Sequence, residues 1–148
     1  MFDIDDLKRK AEDGDAEAQN ELGKCYQHGK NYQGKGSTID TTEAFRWFLR
    51  SAKQQNPAAT LNLAQCFSGN VYDDELPTYS DDEVDYNPMV EARKWAEIAD
   101  FYNELHQSGY SRIRDYFFKL SSRMSDKQQA EGSRRAGEFL DKWGRGKD

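Results

Sequence analysis

Apolar residues along this chain recur at spacings of three and four, the period of one helix face. The stretches between them hold the glycines, prolines and polar clusters that end helices. Ile4, Leu7 and Ala11 form a first stripe, with Asp3 as N-cap and Asp6 three residues on, predicting a helix from Asp3 to about Asp13 that Gly14 ends. A second helix opens at Asp15, carries Ala18, Leu22, Cys25 and Tyr26 on its buried side, and stops at Gly29. The run KNYQGKGSTID follows as a loop. Asp40 and Glu43 have capping-box spacing for a third helix through Ala44, Trp47, Phe48 and Ser51 to about Gln54. Asn56-Pro57 reads as N-cap and first helical residue, and Asn87-Pro88 repeats that start. The helices they launch run to about Phe67 and, through Ala92, Trp95, Ala99 and Tyr102, to about Gln107. A sixth helix follows Gly109, and Ser125 with Gln128 caps a last one reaching about Trp143, whose apolar residues are Ala136, Phe139, Leu140 and Trp143.

Two of these segments return. Ala18, Leu22, Cys25 and Tyr26 come back 41 residues on as Ala59, Leu63, Cys66 and Phe67; Glu43, Ala44 and Trp47 come back 48 residues on as Glu91, Ala92 and Trp95. Blocks recurring in the same order mark a helical repeat array. The expected organisation is a single helical-repeat domain over 1–148, with repeats at about 14–54 and 55–107 and a degenerate third repeat plus C-terminal cap over 108–143. In that third copy the count from Gly14 to Ala18, and from Gln55 to Ala59, leads from Gly109 to Ile113, and Phe117 and Leu120 take the places of Leu22 and Cys25. Ala18, Gly23, Ala44 and Ala52 are small enough for paired helices to approach closely, while Trp47 and Tyr26 fill the wedge between them.

The order Ala18, Gln19, Leu22, Gly23, Tyr26, Gly29, Asp40, Ala44, Trp47, Phe48, Ala52 resembles the pattern of the Sel1-like repeats, a branch of the TPR-like solenoids. The second copy keeps Ala59, Leu63, Ala64, Phe67, Ala92, Trp95 and Ala99 but has Thr60 where the pattern has Gln. The ending RMSDKQQAEGSRRAGEFL is similar to the closing segment of bacterial members. This resemblance implies an all-α, TPR-like right-handed α-solenoid of about seven helices. It implies a packing scheme and carries no catalytic mechanism. It further implies that the first helix of each repeat lines a concave groove, making Asn20, Lys24 and Gln27, opposite the buried stripe, and Gln65 with its neighbours Leu61 and Ser68, candidate ligand contacts.

Charge changes the picture in one place. The chain carries -6 overall, but residues 70 to 92 hold eight acids and no base, whereas 109 to 148 hold ten bases against six acids. Most of those acids lie in an insert between Ser68 and Asn87, which makes this connector seven residues longer than its counterpart in the first repeat. Long connectors in compact domains are commonly functional or disordered. Tyr72, Asp73, Asp74, Glu75, Tyr79, Asp81, Asp82, Glu83, Asp85 and Tyr86 are its candidate binding residues. Mean hydropathy is -1.06, no apolar run approaches the ~20 residues of a membrane span, and MFDIDDLKRK has acids where a signal peptide is basic and apolar. The expectation is a cytoplasmic protein with no membrane partner, its two cysteines behaving as buried free thiols.

Catalytic and metal signatures fall short. GKNYQGKG from Gly29 approaches the phosphate-cradling loop but puts Gly36 where a Ser or Thr must hold magnesium, and it follows a helix rather than a strand. His28 and His106 have no companions at zinc spacing, and the insert's carboxylates lack the calcium-loop order. Arg112, Arg114, Arg123, Arg134 and Arg135 are interleaved with acids, which argues against nucleic acid. The reading is therefore a non-enzymatic protein-protein interaction module without cofactors. It holds another protein or peptide, basic by charge complementarity, through the groove and the acidic insert. Three alternatives stand beside it: an immunity protein neutralising a basic toxin, an enzyme, and self-association of the insert with the basic end of a second copy.

Overall fold

The computed structural model describes residues 4–29, 39–69, 79–85 and 87–144. Among these, regular structure is entirely helical: α1 (Ile4–Glu12), α2 (Ala16–His28), α3 (Thr41–Lys53), α4 (Pro57–Ser68), α5 (Pro88–Leu105), α6 (Ser111–Ser121) and α7 (Asp126–Phe139), the last running on into a π-helical turn, Leu140–Gly144. The predicted helices are all present, with α5 ending two residues early at Leu105. Asp3, the predicted cap of α1, and the predicted loop over 30–38 lie outside the described residues.

Five of the starts among the described helices have a side-chain cap, and α6 has none. Asp15, Asn56 and Asn87 accept hydrogen bonds from the backbones of Ala18, Ala59 and Met89, and Pro57 and Pro88 occupy first-turn positions. Ser125 and Gln128 form the complete reciprocal box. Asp40 forms only half of its predicted one: it accepts from the Glu43 N–H, but its own N–H is already donated to the Tyr26 carbonyl at 2.9 Å, which leaves Glu43 nothing to accept there. The residues before the caps of α2, α4 and α6 share a left-handed backbone, with φ of 105° at Gly14, 68° at Gln55 and 75° at Gly109. The count that aligned the three copies therefore corresponds to one recurring turn.

α2 packs on α3 and α4 on α5, and α5 also contacts α6. The third pair departs from this scheme: α7 lies mainly along α5 rather than on α6. Close approach is built into that contact, since a Cβ on Gly132 would meet the Cγ and Cβ of Arg93 at 3.1 and 3.2 Å. Arg93 is 7% exposed and ties three helices together, donating to Glu97 at 2.9 Å and Ser133 at 3.2 Å while its guanidinium sits 4.5 Å from the Phe117 ring centre. The main core runs from α3 to α7, including Phe48, Leu63, Val90, Trp95, Ile98, Tyr102 and Leu120, and a smaller one joins Leu7, Ala11, Leu22 and Trp47.

Polar groups stitch the helices where the core is thin. Buried Gln19 donates to the Ala11 carbonyl and accepts from Gln54, both at 2.9 Å, and Ser51 donates to the Ala16 carbonyl at 2.7 Å. In α6 the buried places go to Ile113, Tyr116 and Leu120, and Phe117, expected in the stripe, is only half-buried. Trp143, expected on the apolar face of the last helix, is 41% exposed, because the π-helical turn carries it outward to stand 4.6 Å from the Lys53 ammonium.

Candidate functional site

Two features stand out on the surface, a cleft and an acidic strap. The cleft, about 470 Å³, opens between the end of α2, the start of α3 and the end of α4; it is lined by Gln27, Thr41, Ala44, Phe45, Gln65, Cys66 and Phe67. Phe45 and Phe67 meet edge-on, with ring centres 5.8 Å apart, and form its apolar wall. The repeat places Gln27 and Gln65 at its edges, so two of the predicted groove residues do share one site. Lys24 is exposed and paired with Glu21 at 3.2 Å outside the lining.

Two other groove expectations are corrected. Asn20 is 4% exposed and accepts from Asn62 at 2.9 Å, so it joins α2 to α4 instead of facing a ligand. Ser68 is likewise buried, against the Tyr116 hydroxyl. Neighbouring first helices of a repeat array contact each other, and that contact consumes part of the face that a single-helix wheel leaves to solvent. Neither cysteine is in a disulfide, but only Cys25 is buried; Cys66 is exposed at the cleft wall. Burial by its neighbours still pushes the Cys66 thiol up, the opposite of what a nucleophilic thiolate requires.

The strap is residues 79–85, pinned by its backbone to the start of α7. Ser125 Oγ donates to the Asp81 carbonyl at 2.6 Å, Gln128 Nε2 donates to the Ser80 and Glu83 carbonyls at 2.8 and 3.2 Å, and Asn87 Nδ2 donates to the Glu83 carbonyl at 2.8 Å. The positive end of the α7 dipole favours acids at this place. Lys127 lies 3.6 Å from Asp82, whose side chain is 90% exposed, and Arg135 lies 3.9 Å from Asp85, 85% exposed. At such exposure these pairs contribute little. The backbone does the anchoring and the carboxylates stay in water. Tyr79 is half-buried against the main core, while Tyr72, Asp73, Asp74, Glu75 and Tyr86 lie outside the described residues.

The Sel1 repeat profile matches residues 16–56, a span that takes in α2, α3 and the start of the turn into α4. Over that span the chain is similar to a Sel1 repeat. Its fold is similar to that of a protective antigen present in uropathogenic Escherichia coli strains and displaying an SLR fold, with a TM-score of 0.67 and 18% identity over 95% of this chain. The chain spans 26% of that protein's length. No curated protein matches it.

The chain has the helical-repeat solenoid fold that the sequence resemblance implied. Repeats of this kind are generally scaffolds for protein-protein contact. Among the described residues no helix is long and apolar enough to cross a membrane, and no group of three or more His, Cys, Asp or Glu is placed to hold a metal ion. Sequence reasoning missed three contributors: Thr41 and Phe45 of the cleft, and Gln128 as the clamp on the strap. Phe45 had a visible signal, an aromatic beside the repeat's Ala44 where the second copy has Arg93. Gln128 was legible only as a capping residue, because its two strap contacts join residues 45 and 48 positions apart.

Proposed function

We propose that this chain is a non-enzymatic binding module that holds another protein or peptide, its partner offering an apolar anchor to the Phe45–Phe67 cleft and basic residues to the acidic strap. The carrying observation is the cleft itself, an aromatic-walled recess edged by Gln27 and Gln65, equipped to bury a side chain and hydrogen-bond the backbone around it. The strap supports the charge of the partner. Its backbone is fixed, so Asp81, Asp82, Glu83 and Asp85 present four carboxylates without a large ordering cost, and charge of that kind steers encounter more than it raises affinity.

The test is capture of a partner from an extract of the source organism at low and moderate salt, identification by mass, and affinity measurement on variants. Gln65→Arg, on an exposed rim residue, is expected to weaken binding at least tenfold. The combined Asp81→Asn, Asp82→Asn, Glu83→Gln and Asp85→Asn variant is expected to slow association and flatten its salt dependence. A partner bound with unchanged affinity by Gln65→Arg would remove the cleft from the reading, and unchanged association kinetics in the neutralised variant would remove the strap.

A further inference from the structure

Among the described residues, the helix α6 lacks a neighbour that α2 and α4 possess. The left-handed residues Gly14, Gln55 and Gly109 fix the register of the three helices. Five residues on stand Gln19, Thr60 and Arg114; nine residues on stand Gly23, Ala64 and Phe118. In α2 this pair of positions faces α3: Gln19 accepts from Gln54 at the end of that helix, and the Gly23 Cα abuts the Phe48 ring. In α4 both positions are closed to solvent, at 0% each for Thr60 and Ala64. In α6 both are open. Phe118 is 60% exposed and the Arg114 side chain 52%. The cause is the placement of α7, which lies along α5 and leaves that face of α6 without a helix among the described residues.

The empty slot has a definite chemistry. It is a recess of about 540 Å³ between α5 and α6, lined by Asp100, Asn103 and Glu104 on one side and by residues from Gly109 to Phe118 on the other. Arg114, its lining cation, is bound by Asp100 through two contacts of 3.3 Å and by Glu104. Asp100, Glu104 and Asp115 leave the recess acidic on balance. Two of the exposed large hydrophobic residues among those described, Tyr110 and Phe118, line it. An exposed apolar patch rimmed by charge marks a docking surface.

We propose that this slot takes a basic amphipathic helix of a partner protein, laid on α6 as α3 is laid on α2. The internal pairs show what covers such a face, and the acids select the charge. Packing in the slot is inverted relative to the first pair. There a ring on the second helix enters a glycine on the first; here the ring belongs to α6, so the incoming helix needs a small residue opposite Phe118. This surface is separate from the α2–α3–α4 cleft, and its test is independent of that reading.

The probe is a labelled peptide of the α3 sequence, Thr41–Lys53, carrying Phe48→Ala, which is basic through Arg46, Arg50 and Lys53 against Glu43. Fluorescence anisotropy on the full chain at low salt is expected to show saturable binding, weakened about tenfold by Phe118→Ser and left unchanged by Gln65→Arg. A second peptide with Arg46→Glu, Arg50→Glu and Lys53→Glu should bind at least tenfold more weakly. Phe118 is exposed, so the variant should keep the circular dichroism and melting midpoint of the parent, and both are measured. Absence of saturable binding, equal binding to the Phe118→Ser chain, equal binding of the charge-reversed peptide, or a Phe118-dependent dimer that excludes the peptide would overturn the proposal.

Discussion

Replacing Gly23 with alanine sets two known effects against each other. Gly23 lies within α2, where alanine is favoured over glycine by about 0.8–1 kcal/mol on propensity alone. A Cβ at that position would sit 2.6 Å from both Cδ1 and Cε1 of Phe48 and 3.1 Å from Cζ. Non-bonded carbons rest at about 3.5–4.0 Å, so one partner must retreat by roughly 1 Å. Phe48 is 0% exposed, with packed neighbours on every side, and overpacking of this kind costs about 1–3 kcal/mol. The net expectation is a loss of about 1 kcal/mol, a modest difference that a single variant would test poorly. A double-mutant cycle with Phe48→Leu, read by urea unfolding, separates the terms. With the shorter side chain in place, Gly23→Ala should stabilise by about 0.5–1 kcal/mol through propensity, giving a coupling of roughly 1–3 kcal/mol between the sites. The second pair has already made a related adjustment: the corresponding positions hold Ala64 and Ala96, both 0% exposed. If Gly23→Ala has the same effect in both backgrounds to within about 0.3 kcal/mol, the close approach of α2 and α3 is refuted.

Other outcomes follow from single contacts. Ser125→Ala removes both an N-cap and the donor to the Asp81 carbonyl, so it should cost about 1–2 kcal/mol and speed hydrogen exchange at the Glu83 amide, which donates within the strap at 2.9 Å. Tyr102→Phe should be neutral or stabilising by up to about 1 kcal/mol in thermal unfolding, since the buried hydroxyl has no hydrogen-bond partner. Burial pushes the Tyr102 pKa up from 10.0 to about 12, so the unfolded chain ionises first; stability should fall as pH rises from about 10 to about 12, and Tyr102→Phe should remove that part of the decline. Glu131 behaves oppositely: the hydrogen bond from Arg134, helped by Arg135 and opposed by burial, lowers it from 4.5 to about 2. Its contribution to stability is present above pH about 4.5 and lost as pH falls toward 2, and in acid titrations Glu131→Gln should lack that component.

The sequence by itself determined the helices, their register and the caps of α2, α4, α5 and α7. Those depend on contacts within a few residues, such as Asn56 capping Ala59 or Ser125 capping Gln128, and on apolar spacing that a repeat shows twice. It also determined two edges of the cleft, because Gln27 and Gln65 follow from the repeat once the buried stripe is known. What it did not decide was how one helix face is shared between neighbours. Asn20 and Ser68 lie opposite their own stripes, yet Asn62 and Tyr116, 42 and 48 positions away, bury them. The acidic insert read as one charged stretch, but the structure separates its roles, docking the backbone of 79–85 on α7 and leaving the carboxylates to solvent. Tertiary structure alone decided that α7 would settle on α5. That choice rests on Gly132 meeting Arg93, a fit of surfaces with no signature in local spacing, and it is what leaves Phe118 uncovered on α6.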